Sequence, residues 1–309
     1  MALHRLASVT VGIPHTEPVA QFYEEFGLTR SGPTTLSTTD GGEQLMLVCA
    51  PTRRLVQIVV GVDDEDDLAR AMASIRAVDH EVVASPGAIT TTEPNSQVRI
   101  VLEVMPRAST PSHVAPPGYN GPGAPTRVNE RAPGVLRTGP VRPRKLGHVV
   151  FTTPNFAATN DFLTSQVGFK VSDYAGDLGA FLRCSTDHHN VLVLEAPFAF
   201  LHHTAWQVDD VDEVGRGASA LIEGHPERHV WGLGRHHAGS NLFWYQRDPA
   251  GNFSEYYSDL DFIPDDASWL PERADGKYAL WNWGPEPPSS FLQPDDLMEF
   301  AERQQSVGV

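Results

Sequence analysis

Leu146-Gly147-His148-Val149-Val150-Phe151-Thr152-Thr153-Pro154, followed by Asn160-Asp161-Phe162-Leu163 and Val167-Gly168-Phe169, has a counterpart near the start of the chain. There Arg5-Leu6-Ala7-Ser8-Val9-Thr10-Val11-Gly12-Ile13-Pro14 precedes Val19-Ala20-Gln21-Phe22-Tyr23-Glu24-Glu25-Phe26-Gly27-Leu28. Each stretch reads as a strand, a proline-containing turn, a short amphipathic helix and a glycine stop. A second echo pairs Val62-Asp63-Asp64-Glu65-Asp66-Asp67-Leu68 with Val208-Asp209-Asp210-Val211-Asp212-Glu213-Val214. In both, a strand leads into a helix whose first turn is acidic, where carboxylates cap the N-terminus and complement its dipole. The chain is therefore α+β, built of tandem βαβββ modules, two in each half.

Residues 107–143 hold Pro111, Pro116, Pro117, Pro125, Pro133, Pro140 and Pro143 among several glycines. Such a segment is a linker or an extended wrap over the surface. The expected division is a first domain over 1–106, a linker over 107–143, a second domain over 144–261 and a tail over 262–309. The tail carries Trp269, Trp281 and Trp283 between prolines, and three tryptophans in an irregular segment call for burial. It is read as a flap across the second domain or a neighbouring subunit, ending in a helix from about Pro294 to about Gln304.

Chemistry concentrates in Gly234–Tyr257. Asn241-Leu242-Phe243-Trp244-Tyr245-Gln246-Arg247, the turn Asp248-Pro249-Ala250-Gly251 and Asn252-Phe253-Ser254-Glu255-Tyr256-Tyr257 read as a β-hairpin. Alternation puts Asn241, Phe243 and Tyr245 on one face of the first strand, and Phe253, Glu255 and Tyr257 on one face of the second. A single hairpin thus aims a phenol and a carboxylate into one cavity. His236 stands just before its first strand, and His148 and His203 begin β-rich segments upstream. Two imidazoles and one carboxylate with open coordination positions suit Fe(II) and O₂ chemistry. Taken alone, His148 fits a half-buried strand histidine and Glu255 an edge charge paired with Arg247. A carboxylate flanked by Phe253 and Tyr257, however, needs a cation or metal partner.

The 309 residues carry 39 acidic against 23 basic side chains, a formal charge of -16, which argues against nucleic acid or an anionic membrane as partner. No apolar run is long enough to span a bilayer, and Met1–Leu6 lacks the apolar core of a secretory signal. Two cysteines, Cys49 and Cys184, are read as buried thiols in a reducing compartment, so the cytoplasm is expected. There is no glycine-rich phosphate loop, Cys-x-x-Cys or nucleophile elbow.

Paired βαβββ modules, a histidine on the first strand of each module of the second half and a glutamate on the last strand resemble the vicinal oxygen chelate superfamily. Within it, residues 1–260 look like the two-domain type I extradiol ring-cleaving dioxygenases, most strongly from Leu146 to Asp261. The resemblance implies modules that form incomplete barrels, a first domain without metal, and a metal held by His148, His203 and Glu255. It favours Fe(II), with Mn(II) as the alternative. Of the doublet His202-His203, the family pattern makes the second the ligand and leaves His202 beside it. His189 of His188-His189 takes the acid–base role, and His236 and Tyr245, nine residues apart, hold substrate and ligands. Asn241, Arg235, Trp231 and His202 are the further candidates for substrate contact. His225, His229 and His237 carry no role.

The implied activity is oxidative cleavage of a catecholic substrate by O₂ beside the diol, in aromatic catabolism, by a homo-oligomer (dimer or tetramer). The tail stretch Trp281–Pro288 holds no arginine, which favours a neutral, hydrophobic or aryl-substituted catechol over a carboxylated one. The rival readings are a non-redox isomerase or lyase using a divalent metal, and a metal-free protein that sequesters an aromatic drug. The repeat offers an internal comparison: Ser8 falls opposite His148, Gln57 opposite His203 and Glu103 opposite Glu255. One carboxylate with Ser and Gln does not make a metal site.

Overall fold

The computed structural model describes residues 3–108, 118–293 and 295–297. Four βαβββ modules follow one another. The first has β1 (Leu3–Ile13), α1 (Thr16–Glu25), β2 (Thr29–Arg30), β3 (Thr35–Thr38) and β4 (Gly42–Cys49). The second has β5 (Arg54–Val62), α2 (Glu65–Arg76), β6 (Val82–Ser85), β7 (Ala88–Thr92) and β8 (Arg99–Val104). A four-residue helix, α3 (Pro133–Leu136), interrupts the linker, which the proline content had suggested would hold none.

The third module comprises β9 (Lys145–Thr153), α4 (Phe156–Asp161), β10 (Lys170–Ala175), β11 (Gly179–Arg183) and β12 (Val191–Glu195). The fourth comprises β13 (Leu201–Gln207), α5 (Val211–Ile222), β14 (His229–Arg235), β15 (Leu242–Arg247) and β16 (Phe253–Ser258). The tail adds β17 (Arg273–Ala274) and α6 (Ser289–Leu292).

The helix boundaries follow from capping. Asp64 and Asp210 accept from the backbone N–H of Asp67 (2.9 Å) and Glu213 (3.0 Å), as the acidic runs predicted. Gly27 and Gly168 both stop their helices at φ 99°, a left-handed conformation that glycine adopts without penalty.

Each pair of modules makes one open sheet, with no closed barrel. The strand orders are β2-β3-β4-β1-β5-β8-β7-β6 and β14-β15-β16-β13-β9-β12-β11-β10-β17. At both centres two antiparallel strands, β1 with β5 and β9 with β13, are flanked by parallel neighbours.

One core joins the two sheets. Tyr23 of α1 reaches Thr204 of β13 (3.0 Å) and accepts from Ser254 of β16 (2.9 Å). Phe26 stacks on Tyr256 at 3.8 Å. Thr204, Ser254 and Tyr256 alternate with His203, Ala205, Phe253, Glu255 and Tyr257, so the first half braces the back of the strands whose front carries the candidate ligands.

The tail crosses the second sheet from edge to edge. β17 pairs with β10 at one end, and Trp283 bridges to Arg235 of β14 at the other. Of the expected terminal helix, Pro294 and residues 298–309 lie outside the described residues. No helix among the described residues is long and apolar enough to cross a membrane. Cys184 is buried, but Cys49, at the exposed end of β4, is not, contrary to expectation.

Candidate metal centre and active site

The hairpin forms as its sequence implied. Gly251, at φ 88°, closes the Asp248–Gly251 turn, and β15 and β16 pair with Tyr245 directly opposite Glu255. Glu255 in turn pairs with Ala205 of β13, and Ala205 with His148 of β9. Four adjacent strands thus line up Tyr245, Glu255, Ala205 and His148 in one row. His203, two residues before Ala205, points to the same face.

His148, His203 and Glu255 are all buried, and their ligand atoms lie within 4.8 Å of one another. His148 Nε2 is 3.1 Å and His203 Nε2 3.4 Å from Glu255 Oε2, and the two Nε2 atoms are 3.4 Å apart. Burial works to raise the Glu255 carboxyl, yet hydrogen bonds and charge from His148, His203 and His236 overcome it and hold it below the usual carboxylate range. Burial pushes His203 down to about 4, so its ring is neutral at ordinary pH. A neutral ring nitrogen, a second imidazole and an ionised carboxylate facing one another across so short a gap are a donor set for a divalent cation. His148 Nδ1 and the Tyr257 hydroxyl beside it have no hydrogen-bond partner among the described residues. Arg247, the alternative partner for Glu255, pairs with Asp295 instead.

Around these three side chains stands a second group of polar residues. Asn241 Nδ2 donates to Glu255 Oε1 at 3.0 Å and fixes the carboxylate's rotation. His236 Nε2 lies 2.9 Å from the Tyr245 hydroxyl and 3.8 Å from Glu255 Oε1. Its Nδ1 donates to the carbonyl of Leu280 in the tail, so Nε2 accepts the Tyr245 hydrogen. The His189 ring sits 4.2 Å from that of His148. Burial holds His189 and His236 below the usual histidine range and raises the Tyr245 hydroxyl above its own.

Sequence reasoning missed what stands behind His189. His188 Nδ1 and His189 Nδ1 are 3.0 Å apart, and His188 Nε2 is 2.9 Å from Asp173 Oδ2 on β10. A carboxylate only accepts, so His188 donates from Nε2 and accepts at Nδ1 from His189. Neutral His189 therefore keeps its lone pair on Nε2. Asp173 is itself held by the backbone N–H of Glu272 in the tail (2.7 Å). Only the doublet's residue types were visible in sequence; its partner Asp173, 15 residues before His188 on another strand, carried no motif. Tyr257, read only as an aromatic flank, packs 5.3 Å from the His148 ring.

Three of the further candidates are engaged by other partners. Arg235 turns to the outer side, donating to Ser240 O and pairing with Asp259 (2.9 Å), where it lines a separate cavity of about 290 Å³ with Asp209 and Arg137. Its backbone bridges to Trp283 in the tail. Trp231 is buried and parallel to Tyr245 at 5.7 Å, with Nε1 on the Pro285 carbonyl (2.8 Å). It backs Tyr245. His202 is buried between His203 and the tail, with both ring nitrogens engaged.

Residues 145–256 match the Glyoxalase/Bleomycin resistance protein/Dioxygenase superfamily. The architecture is the vicinal oxygen chelate fold that the repeat pattern had implied. The chain is 35% identical to metapyrocatechase 2 of Cupriavidus necator over 202 residues, 64% of this chain and 59% of that protein. It is 29% identical over 161 residues, 47% of this chain and 50% of the other, to a manganese-dependent 2,3-dihydroxybiphenyl 1,2-dioxygenase of Geobacillus genomosp. 3. It therefore spans between half and three fifths of the length of the curated relatives it matches. Among solved structures, a Mn(II)-bound glyoxalase from Novosphingobium aromaticivorans superposes with a TM-score of 0.71 at 26% identity, over 94% of each chain.

Proposed function

We propose that the chain is an extradiol dioxygenase: it opens the ring of a catecholic substrate with O₂ beside the diol, using Fe(II), or Mn(II) in its place, held by His148, His203 and Glu255. The observation that carries this reading is the buried cluster of those three ligands ringed by His189, His236 and Tyr245. Both curated relatives are named for catechol-type substrates or their cleavage, and one is named manganese-dependent. A divalent metal held by His148, His203 and Glu255 would supply Lewis-acid and electron-transfer chemistry between a catecholic diol and O₂.

The chain's own groups handle protons and orientation. His189 Nε2 takes up a proton from a diol hydroxyl and returns it to the reacting oxygen, while Asp173, acting through His188, stabilises the positive ring in between. His236 and Tyr245 hold the substrate oxygen nearest Glu255, and Asn241 keeps the carboxylate from rotating into the space the diol occupies. The aromatic wall of Phe181 and Tyr257, and the absence of arginine from the tail stretch Trp281–Pro288, favour a neutral, hydrophobic or aryl-substituted catechol. The reading includes a cytoplasmic homo-oligomer and a division into a metal-free domain over 1–106, a linker, a catalytic domain over 144–261 and a closing tail.

Anaerobic loading with Fe(II), followed by oxygen-electrode and absorbance assays on a panel of catechols, tests this. The expected result is O₂ uptake matched to the appearance of a yellow ring-opened product. Turnover with Ni(II), Co(II) or Zn(II) without O₂ uptake would make the chain an isomerase or lyase, and tight aromatic binding without metal would make it a sequestering protein.

A further inference from the structure

His202 is not one of the three ligands, yet its contacts determine what His203 can do. Its Nε2 lies 2.6 Å from the backbone carbonyl of Phe291, in the tail helix α6, and its Nδ1 lies 2.7 Å from Nδ1 of His203. A carbonyl oxygen is an acceptor only, so the His202 hydrogen is on Nε2 and its Nδ1 carries the lone pair. That nitrogen must then accept from His203, which puts the His203 hydrogen on Nδ1. The remaining nitrogen of His203, Nε2, is left with a lone pair 3.4 Å from both His148 Nε2 and Glu255 Oε2.

The carbonyl is itself rigidly placed. The Phe291 side chain is buried, parallel to Phe253 at 5.7 Å and edge-on to Trp231 and Tyr245 at 4.8 Å each. Phe253 is the register partner of His203, so the tail docks on the strand pair that holds two of the ligands.

We propose that His202 and the tail segment Ser289–Leu292 are positioning elements of the metal centre: the Phe291 carbonyl, relayed through His202, holds His203 in the one tautomer that can ligate, so docking of the tail and retention of the metal are coupled. This rests on the reading of His148, His203 and Glu255 as the metal ligands. The other doublet shows why the anchor is a neutral carbonyl. His188-His189 repeats the same Nδ1-to-Nδ1 contact but ends on the Asp173 carboxylate, which suits a ring that must carry a proton. A ligand ring must stay neutral, and a carbonyl fixes its tautomer without inviting a second proton. Coupling is reciprocal: if the tail favours metal, metal favours the docked tail.

Mn(II) alone is the probe, its free concentration followed by electron paramagnetic resonance, with thermal unfolding as the check on folding. His202→Phe, which removes the acceptor, is expected to weaken Mn(II) binding about 10- to 100-fold, the usual cost of losing a metal ligand's outer partner. His202→Gln, whose side-chain carbonyl still accepts from His203 Nδ1, is expected to recover most of that loss. Phe291→Ala, which loosens the tail and leaves both rings in place, is expected to weaken binding as well, and carries the test if His202→Phe does not fold. Mn(II) is further expected to slow backbone hydrogen exchange across 289–293 in the wild-type chain. His203→Ala separates the two claims. If it keeps wild-type Mn(II) affinity, the ligand assignment fails. If it loses Mn(II) while His202→Phe or Phe291→Ala binds as tightly as wild type, or if His202→Gln is no better than His202→Phe, the relay alone is overturned.

Discussion

The two halves of the molecule are the same sheet with different side chains in one place. In the second half, Ala205 pairs with His148 on one side and Glu255 on the other. In the first, Val59 pairs with Ser8 and with Val101 in the same arrangement. The register therefore sets Ser8 against His148, Gln57 against His203 and Val101 against Glu255. Sequence comparison had set Glu103 against Glu255. The structure moves that position by two residues, to Val101, and leaves Glu103 exposed near the C-terminal end of β8. Gln57 is taken up by Arg99, its cross-strand partner, at 2.7 Å. The comparison teaches that the scaffold alone does not assemble the cluster. Three side chains on one face of the second sheet do, on the reading proposed above, while the first half braces the back of that sheet.

The largest effect expected from breaking this contrast is chemical. His189→Asn is expected to keep metal and catechol binding and to lower turnover by roughly 10²–10⁴-fold, the usual contribution of a positioned acid–base group. The loss belongs in the rate at saturating substrate, which single-turnover and steady-state kinetics separate from binding. Asp173→Asn removes the charge behind the ring and one of the two acceptor oxygens that serve His188 and the Glu272 N–H, and a fall in the same parameter smaller than that of His189→Asn is expected. Wild-type turnover in His189→Asn would remove the proton carrier from the mechanism.

Next comes packing. A Cβ on Gly147, the residue before His148, would lie 1.8 Å from the Tyr257 hydroxyl. Gly147→Ala is expected to cost about 1–3 kcal/mol in denaturant unfolding, as overpacking does. In the double variant with Tyr257→Phe only a small part of the lost stability is expected back, because the ring carbons Cζ and Cε1 would still be struck, whereas Tyr257→Leu, which removes the ring, is expected to recover more. A brace between the halves is worth less: Tyr23→Phe removes a hydroxyl shared by Thr204 and Ser254, for an expected loss of about 0.5–1.5 kcal/mol with metal content unchanged. The smallest effect is none at all. Ser8→Ala and Gln57→Ala are expected to leave bound metal at the wild-type level by elemental analysis.

How much of this could be read from the chain depends on whether the deciding partner is a side chain nearby in sequence or something else. The four modules, the helix caps at Asp64 and Asp210 and the hairpin were legible because periodicity, acidic first turns and the Asp-Pro-Ala-Gly turn are local signals. His148, His203, Glu255, His236 and Tyr245 converge because each sits at a fixed offset within such an element. The slip between Glu103 and Val101 was not legible, since loop lengths differ between the modules and pairing register is set by packing across strands. Nor was the tail. Its grip on His202 and His236 runs through the backbone carbonyls of Phe291 and Leu280, which every sequence possesses. Arg235 and Trp231 were drawn towards the substrate by proximity in sequence to His236, whereas the pairing of β14 with β15 and the tail bridge turn one outward and lay the other behind Tyr245.

The central claim, that one face of the second sheet makes the metal site and its twin in the first does not, is tested most directly by counting metal in chains loaded with Mn(II). About one ion per chain is expected in the wild type, as a single two-histidine, one-carboxylate site requires, and none in His148→Ala, His203→Ala or Glu255→Ala, with each variant confirmed folded. Full metal retained by Glu255→Ala would contradict the account.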